Sequence, residues 1–424
     1  MKILIISRTP WNDSNSFGNT FSNLFGGMPD IEVYNICCQK GSTKNDVVIR
    51  TLQMSERSIL RSLRGGNIVI SQNNFSSQDE SKIGGIAIAP KHKTTSLLLV
   101  RDFVWWLGRY KYQKAILSFI DGVKPDLIYM PIYSSLYMCD IDRFIINYTK
   151  VPVIGHITDD VYSYPPNCNS FSLTYQYRNL LRKKIRALID KVSYIEVFAQ
   201  NMKNEYEKIF NKPCYIIGKG IELDMVSKPQ YHCNIDGIIH FVYTGGIGGE
   251  RYGVLVALGK ALEGQTIQKC YLDIYTTTLL TKEMKEEIDS ISSIKYHGAI
   301  SGTKVKEIQK RGDYLIHVEG FSAQSVFSTK MSFSTKIIDY LSTGNLMIAI
   351  GPNEINSIQI LKEKTIAFVI DNVDKIQSSI NYLLNGNVDT KRIQENAYRY
   401  LLTERTKKVF QSSMVERFKA LLSN

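Results

Sequence analysis

The stretch Ser332-Phe333-Ser334-Thr335-Lys336-Ile337-Ile338-Asp339-Tyr340-Leu341-Ser342-Thr343-Gly344, running into the apolar Leu346-Met347-Ile348-Ala349-Ile350-Gly351, decides how the rest of the chain is read. It predicts a loop, a short helix, a glycine stop and a buried strand. Ser334 and Thr335 suit the helix N-cap, and Gly344 suits the position just past the helix end. Ile337, Ile338 and Leu341 form the inward face. A helix start with free N–H groups, two hydroxyls and Lys336 suits an anion, and Asp339, one turn on, suits sugar hydroxyls. A diphosphate carried on a ribose has that chemistry. An ordinary capped helix–strand unit explains the same residues.

Upstream, the segment from Ile238 alternates in the same way. A strand over 238–243 leads into Thr244-Gly245-Gly246-Ile247-Gly248-Gly249-Glu250-Arg251, then a helix over 253–262 and a strand over 271–275. The glycines let backbone come close to a ligand, so that N–H groups such as those of Gly246 and Gly248 can face phosphate. Arg251 adds a fork of fixed charge, although a flexible turn with a solvated arginine reads equally. A strand over 295–299, a helix over 302–311 and a strand over 314–318 lead to Glu319-Gly320-Phe321-Ser322.

The first half begins with the strand Lys2–Ser7 and a polar loop over 8–17. Gly18-Asn19-Thr20 then opens a helix with Phe21, Leu24 and Phe25 on one face. Strand, loop and helix start is the order of a nucleotide-binding half-domain, here without G-x-G-x-x-G. Residues 41–95 are poorly periodic and predict irregular connections and short strands. A single helix is predicted over 97–120, aromatic and basic, fit either for packing on a sheet or for lying in a membrane interface. A strand over 152–156 carries His156 at its carboxyl end, where open α/β sheets bind ligands; a histidine bonded to backbone is the alternative. The predicted linker covers 223–236, and two helices close the chain.

With 424 residues the chain suits two domains. Composition is that of a soluble globular protein, and no apolar run is long enough for a spanning helix. The apolar run at the start is too short for a signal peptide core. The 7 cysteines are scattered without C-x-x-C, which argues against metal or disulfide frameworks and for a reducing cytoplasm. The net charge of +12 is uneven. Residues 1–220 hold 28 Lys and Arg against 18 Asp and Glu, whereas residues 221–424 hold 24 against 22. A basic first half suits an anionic partner such as a membrane surface. No basic-aromatic module of nucleic-acid-binding spacing is present, so nucleic acid is not an expected partner.

The Lys336–Gly344 segment resembles the donor-binding motif of retaining GT-B glycosyltransferases of the family-4-like group, in the variant K-x-x-[ED]-Y-L-x-x-G before a strand. The resemblance covers most of the chain in outline. It implies an α/β chain of GT-B architecture, with two Rossmann-like αβα domains facing a cleft: residues 1–225 for the acceptor, 236–400 for a nucleotide-sugar, and a C-terminal helix, 401–424, crossing back. It further implies transfer of a sugar, with retention, from a nucleotide diphosphate-sugar (a UDP-sugar favoured) to a glycan or lipid-linked acceptor in bacterial surface polysaccharide synthesis. Catalytic roles fall to His156, Arg251 and Lys336. Substrate contacts fall to Gly18, Asn19, Gly246, Gly248, Glu319, Ser334, Thr335 and Asp339. No cofactor is implied, and with fixed cations present and no Asp-x-Asp near these motifs, no metal. The chain departs from the family at two places. Phe327 stands where the second of two spaced glutamates is usual, and the lysine that normally follows the loop arginine is missing. The rival readings are a non-catalytic nucleotide-sugar or membrane-binding subunit and a GT-B epimerase.

Overall fold

The computed structural model describes residues 1–66, 70–72, 94–166, 169–231, 237–266 and 268–423. The chain divides into two compact units. One holds the described residues up to 219 together with 407–423; the other holds 220–406.

In the first unit the strands are β1 (Lys2–Ser7), β2 (Glu32–Cys37), β3 (Val48–Gln53), β4 (Ile70–Gln72), β5 (Leu127–Pro131), β6 (Val153–Ile157), β7 (Tyr194–Val197) and β8 (Cys214–Ile216). They form one sheet in the order β4-β3-β2-β1-β5-β6-β7-β8. β4 alone runs antiparallel. The register sets Ile3 beside Val33 on one side and Leu127 on the other. Ile3 to Ile6 and Leu127 to Met130 are fully buried, as strands covered by helices on both faces require. The order reverses between β1 and β5.

Three local expectations are corrected here. The first helix is Ser16–Phe25, two residues earlier than expected, because the Asn15 side chain accepts from Gly18 N and supplies the cap. Gly18 therefore lies in its first turn, where a Cβ would collide with the backbone of Asn12. Within 41–95 stands a regular helix, Glu56–Leu63, closed by reciprocal Ser55–Ser58 capping bonds. The single helix expected over 97–120 is two, Thr95–Leu107 and Arg109–Val123. They break at Gly108, where a Cβ would collide with Ile59.

The last helix, Lys407–Leu422, belongs to the first unit and buries Phe410, Met414 and Phe418. Gln411 Nε2 donates to the carbonyls of Leu24 and Gly26 at 3.0 and 2.9 Å, serving the open end of the Ser16–Phe25 helix.

The second unit has β9 (Ile238–Thr244), β10 (Lys269–Tyr275), β11 (Ile294–Gly298), β12 (Tyr314–Val318), β13 (Leu346–Ile350) and β14 (Phe368–Ile370). All are parallel, in the order β11-β10-β9-β12-β13-β14. The chain winds outward from β9 through β11, then returns to β9's other side as β12. The carboxyl ends of β9 and β12 thus flank a topological switch point, where doubly wound sheets bind ligands. β12 pairs with β13 along its whole length but with β9 only at Tyr314–Phe241 and Leu315–Val242. Beyond Val242 the two strands part.

Candidate nucleotide-diphosphate site in the second unit

The parting of β9 and β12 frees the backbone of Thr244, and the Tyr340 hydroxyl fills the gap. It lies 3.0 Å from Thr244 N, O and Oγ1, while Gln309 Nε2 donates to Thr244 Oγ1 at 2.7 Å. These bonds fasten the helix Lys336–Leu341 to the end of β9. Gln309 was not singled out by the sequence pattern, and Tyr340 entered it only as the tyrosine of the Lys336–Gly344 segment.

Lys336 opens that helix and reaches over Gly245. Gly245 has φ 144°, and a Cβ on it would occupy the space taken by Lys336 Nζ. Glycine is required there on both counts. The ammonium lies 5.7 Å from the centre of the Tyr243 ring and, among the described residues, has no hydrogen bond or ion pair. Burial, then the neighbouring Arg251 charge, lower its pKa to about 8, against the opposing pull of Glu319.

Arg251 begins the helix Arg251–Glu263. Its Nη2 and Nε donate to Glu319 Oε2 at 2.8 and 3.1 Å, and Nε also meets the Val318 carbonyl at 3.2 Å. Nη1 has no partner among the described residues. Burial works against the guanidinium charge, and the carboxylate more than offsets it. Glu319 is buried. Beside it, His317 Nε2 stands 3.5 Å from Glu319 Oε1, too far for a good bond, and is buried without a partner among the described residues. Burial lowers the His317 pKa to about 4, so the ring is neutral at pH 7. Sequence reading passed over His317, whose signal was a polar side chain at a strand's carboxyl end.

Between these groups runs the glycine loop. Gly249 and Glu250 both have φ 66°, and the loop is tied down by Tyr243 OH to Gly246 O at 2.6 Å and Ser325 Oγ to Gly249 O at 3.1 Å. Gly320 presses against Gly249 so closely that a Cβ would clash. Among the described residues no protein acceptor meets the N–H of Gly246 or Gly248. Gly248 has open space around it.

The hydroxyls of Ser334 and Thr335 correct the capping expectation. Thr335 holds the N-cap position with helical angles, φ −63° and ψ −21°, and makes no side-chain cap bond. A capping hydroxyl needs an extended backbone to reach the N–H groups ahead of it. The helix has only 6 residues, so its dipole contributes little, and the anion-attracting charge rests on Lys336 and Arg251. Asp339 is half-buried on this helix. Gly246, Gly248, Arg251, Glu319 and Lys336 are brought together at the switch point, with Ser334, Thr335 and Asp339 on the adjoining segment.

Gly18, Asn19 and His156 lie in the first unit. His156 is 1% exposed, not at an open strand end. Its ring packs edge-on against Phe21 at 5.2 Å and Phe198 at 5.3 Å. Nδ1 is 2.8 Å from Tyr129 OH, which donates to the buried Glu196 at 2.7 Å. Arg417 Nη2 holds the other Glu196 oxygen at 2.6 Å. With the hydroxyl proton directed to Glu196, the imidazole keeps its own proton on Nδ1, leaving bare Nε2 buried and without a partner among the described residues. Burial lowers the His156 pKa to about 3.

No protein-family model and no curated protein matches the sequence. Solved structures do match over the full length. Sucrose-phosphate synthase from Thermosynechococcus elongatus aligns with TM-score 0.65 at 10% identity, over 100% of this chain and 99% of its own. HepE from Anabaena, solved in complex with UDP, gives 0.66 at 10% identity, over 99% and 100%. The lipopolysaccharide outer core galactosyltransferase WaaB in its apo form gives 0.60 at 11% identity, over 98% and 100%. At such identities the likeness establishes the fold, which is GT-B.

Proposed function

We propose that this chain, whose fold is GT-B, is a retaining glycosyltransferase that takes a sugar from a nucleotide diphosphate-sugar, a UDP-sugar favoured. The observation that carries the reading is Lys336: a half-buried ammonium with no hydrogen bond or ion pair among the described residues, beside Arg251 and glycine-loop N–H groups that meet no protein acceptor there, at the switch point of a doubly wound sheet. Such a place is built for a diphosphate. The Anabaena relative was solved with UDP, which supports the choice of base.

As the bond between sugar and diphosphate lengthens, negative charge grows on the leaving oxygen. Lys336 and Arg251 Nη1 stabilise it from fixed positions, which need no reorganisation at the moment of reaction. Glu319 holds Arg251 by Nε and Nη2, leaving the remaining donors for phosphate, so its role is to position. Asp339 takes the ribose hydroxyls, with Ser334 and Thr335 as further donors to the nucleotide and Gly246 and Gly248 supplying N–H groups. In the first unit Gly18 and Asn19 contact the acceptor, and His156, enclosed by Phe21 and Phe198, orients it. The acceptor is a glycan or a lipid-linked sugar, and the WaaB likeness favours a surface polysaccharide pathway. The charge stabilisation described here is carried by side chains and backbone, so transfer is expected to continue in EDTA.

Calorimetry of UDP, GDP, ADP and dTDP in EDTA, on the native chain and on Lys336→Ala, tests the reading. Binding of one nucleotide, lost in the variant, is expected. Binding of none of them would overturn it.

A further inference from the structure

The helices Glu56–Leu63, Thr95–Leu107 and Arg109–Val123 leave a face in the first unit that core packing does not use. Trp105, Tyr112, Ile116 and Phe119 turn inward. Val100, Phe103, Trp106 and Tyr110 recur three or four residues apart on the opposite side and are 61, 55, 54 and 77% exposed. Leu60 and Leu63 on the neighbouring helix are each 46% exposed. The Phe103 and Trp106 rings stack on each other at 5.6 Å, and the Arg109 guanidinium lies 5.3 Å from the Trp106 ring. Among the described residues, large side chains thus form an exposed stripe, which monomeric proteins rarely tolerate without a use for it.

The charges around the stripe say what covers it. Arg57, Arg61, Arg64, Arg109, Lys111 and Lys114 are all exposed. The acids of these three helices are otherwise engaged. Glu56 accepts from Trp105 Nε1 at 3.3 Å, Asp102 pairs with Arg101 at 3.0 Å, and Asp121 accepts from Tyr148 at 2.6 Å. A second copy of this chain would set the same cations against themselves. No helix among the described residues is long and apolar enough to cross a membrane, so contact with lipid here is interfacial.

We propose that this face docks on an anionic lipid bilayer. Val100, Phe103, Trp106 and Tyr110 enter the headgroup boundary while the surrounding arginines and lysines engage lipid phosphates. The inference does not depend on sugar transfer.

Trp106 supplies its own reporter, because the other tryptophans, Trp11 and Trp105, are already 0 and 1% exposed. The full chain is mixed with vesicles of phosphatidylcholine alone, or containing ~30% phosphatidylglycerol, at low salt. A blue shift of tryptophan emission and co-sedimentation are expected with the anionic vesicles only, reversed by ~0.5 M salt. Val100→Ser with Phe103→Ser should weaken partitioning by at least about tenfold at an unchanged thermal midpoint. Arg57→Glu with Arg61→Glu and Lys111→Glu should do the same. Absence of binding at low salt, equal binding to neutral vesicles, or binding kept by either variant would overturn the proposal. Self-association through this face without vesicle binding would overturn it too, in favour of a protein contact.

Discussion

Arg251 and Glu319, 68 positions apart in sequence, meet through two donors on one carboxylate oxygen, Nη2 at 2.8 Å and Nε at 3.1 Å. The pair is asymmetric. The carboxylate is buried while the guanidinium is 29% exposed, so the arginine's free edge faces outward and its held edge is fixed from within.

This asymmetry separates two substitutions at Glu319. Glu319→Gln keeps an acceptor for Nε and Nη2, and UDP affinity measured by calorimetry should stay within about threefold, or ~0.7 kcal/mol. Glu319→Ala releases the guanidinium and should cost about tenfold or more, ~1.4 kcal/mol. Equal losses in the two variants would dismiss a positioning role. Arg251→Ala strands a buried carboxylate and should lower stability by about 3 kcal/mol in denaturant titration. Arg251→Lys should not restore affinity, since a single ammonium cannot hold Glu319 and present a free donor together.

Lys336 predicts a pH dependence of binding. Its pKa is lowered to about 8 in the folded chain, so the ammonium is charged below that pH and is lost above it. Diphosphate affinity should be flat toward neutral pH and fall by up to about tenfold per unit above pH 8. Binding near pH 8 should take up protons, seen as a dependence of calorimetric heat on buffer ionisation. Stability moves the other way. Between about pH 8 and the ordinary lysine range the unfolded chain binds the proton that the folded chain has given up, so this group's contribution to stability rises with pH there. Lys336→Met should flatten both profiles. A native affinity profile that stays flat past pH 9 would remove Lys336 from the diphosphate site.

Gly245 tests the same ammonium from the other side. Gly245→Ala would drive a methyl group into the place of Lys336 Nζ and impose a side chain at φ 144°. Diphosphate affinity should fall about as far as in Lys336→Ala, and the thermal midpoint should drop by several degrees. Gly248→Ala meets open space and should leave the midpoint within about a degree. Equal melting of the two variants would show that the loop, and not the lysine over it, limits Gly245.

Much of the second unit was legible in sequence because its information is local. Four glycines followed by an apolar helix, and Leu346–Ile350 as an unbroken apolar run, announce a buried parallel strand beside a tight loop. The site was legible as a set of residue types and less so as a set of partners. Arg251 and Lys336 stand out in sequence as cations beside a glycine loop and a helix start, but no local pattern shows that Glu319 holds one and restrains the pKa of the other. The surroundings of His156 were not legible, because a strand's last residues can point into either layer, and here the Ser16–Phe25 helix covers its side. Gly108 concealed a helix break for a similar reason. Its cause is the contact with Ile59, 49 positions away, while the local sequence continues the helical pattern across it.

Tyr340 shows what such a distant contact is worth. Its hydroxyl meets Thr244 N, O and Oγ1, each at 3.0 Å and 96 positions away, where β9 has lost β12 as a partner. Tyr340→Phe keeps the ring in its pocket and leaves the buried Thr244 N–H unsatisfied, which should cost about 1–3 kcal/mol. Because the same bonds locate the start of Lys336–Leu341 over Gly245, the variant should also bind UDP more weakly, by about threefold to tenfold. Thr244→Val removes the Oγ1 partner of Tyr340 and Gln309 but keeps the backbone contacts, so it should fall between the native chain and Tyr340→Phe in both measurements. Paired denaturant melts and calorimetry on the two variants decide the matter. A Tyr340→Phe chain that loses stability while binding UDP at native strength would mean that the hydroxyl supports the sheet end alone, with Lys336 placed by other contacts.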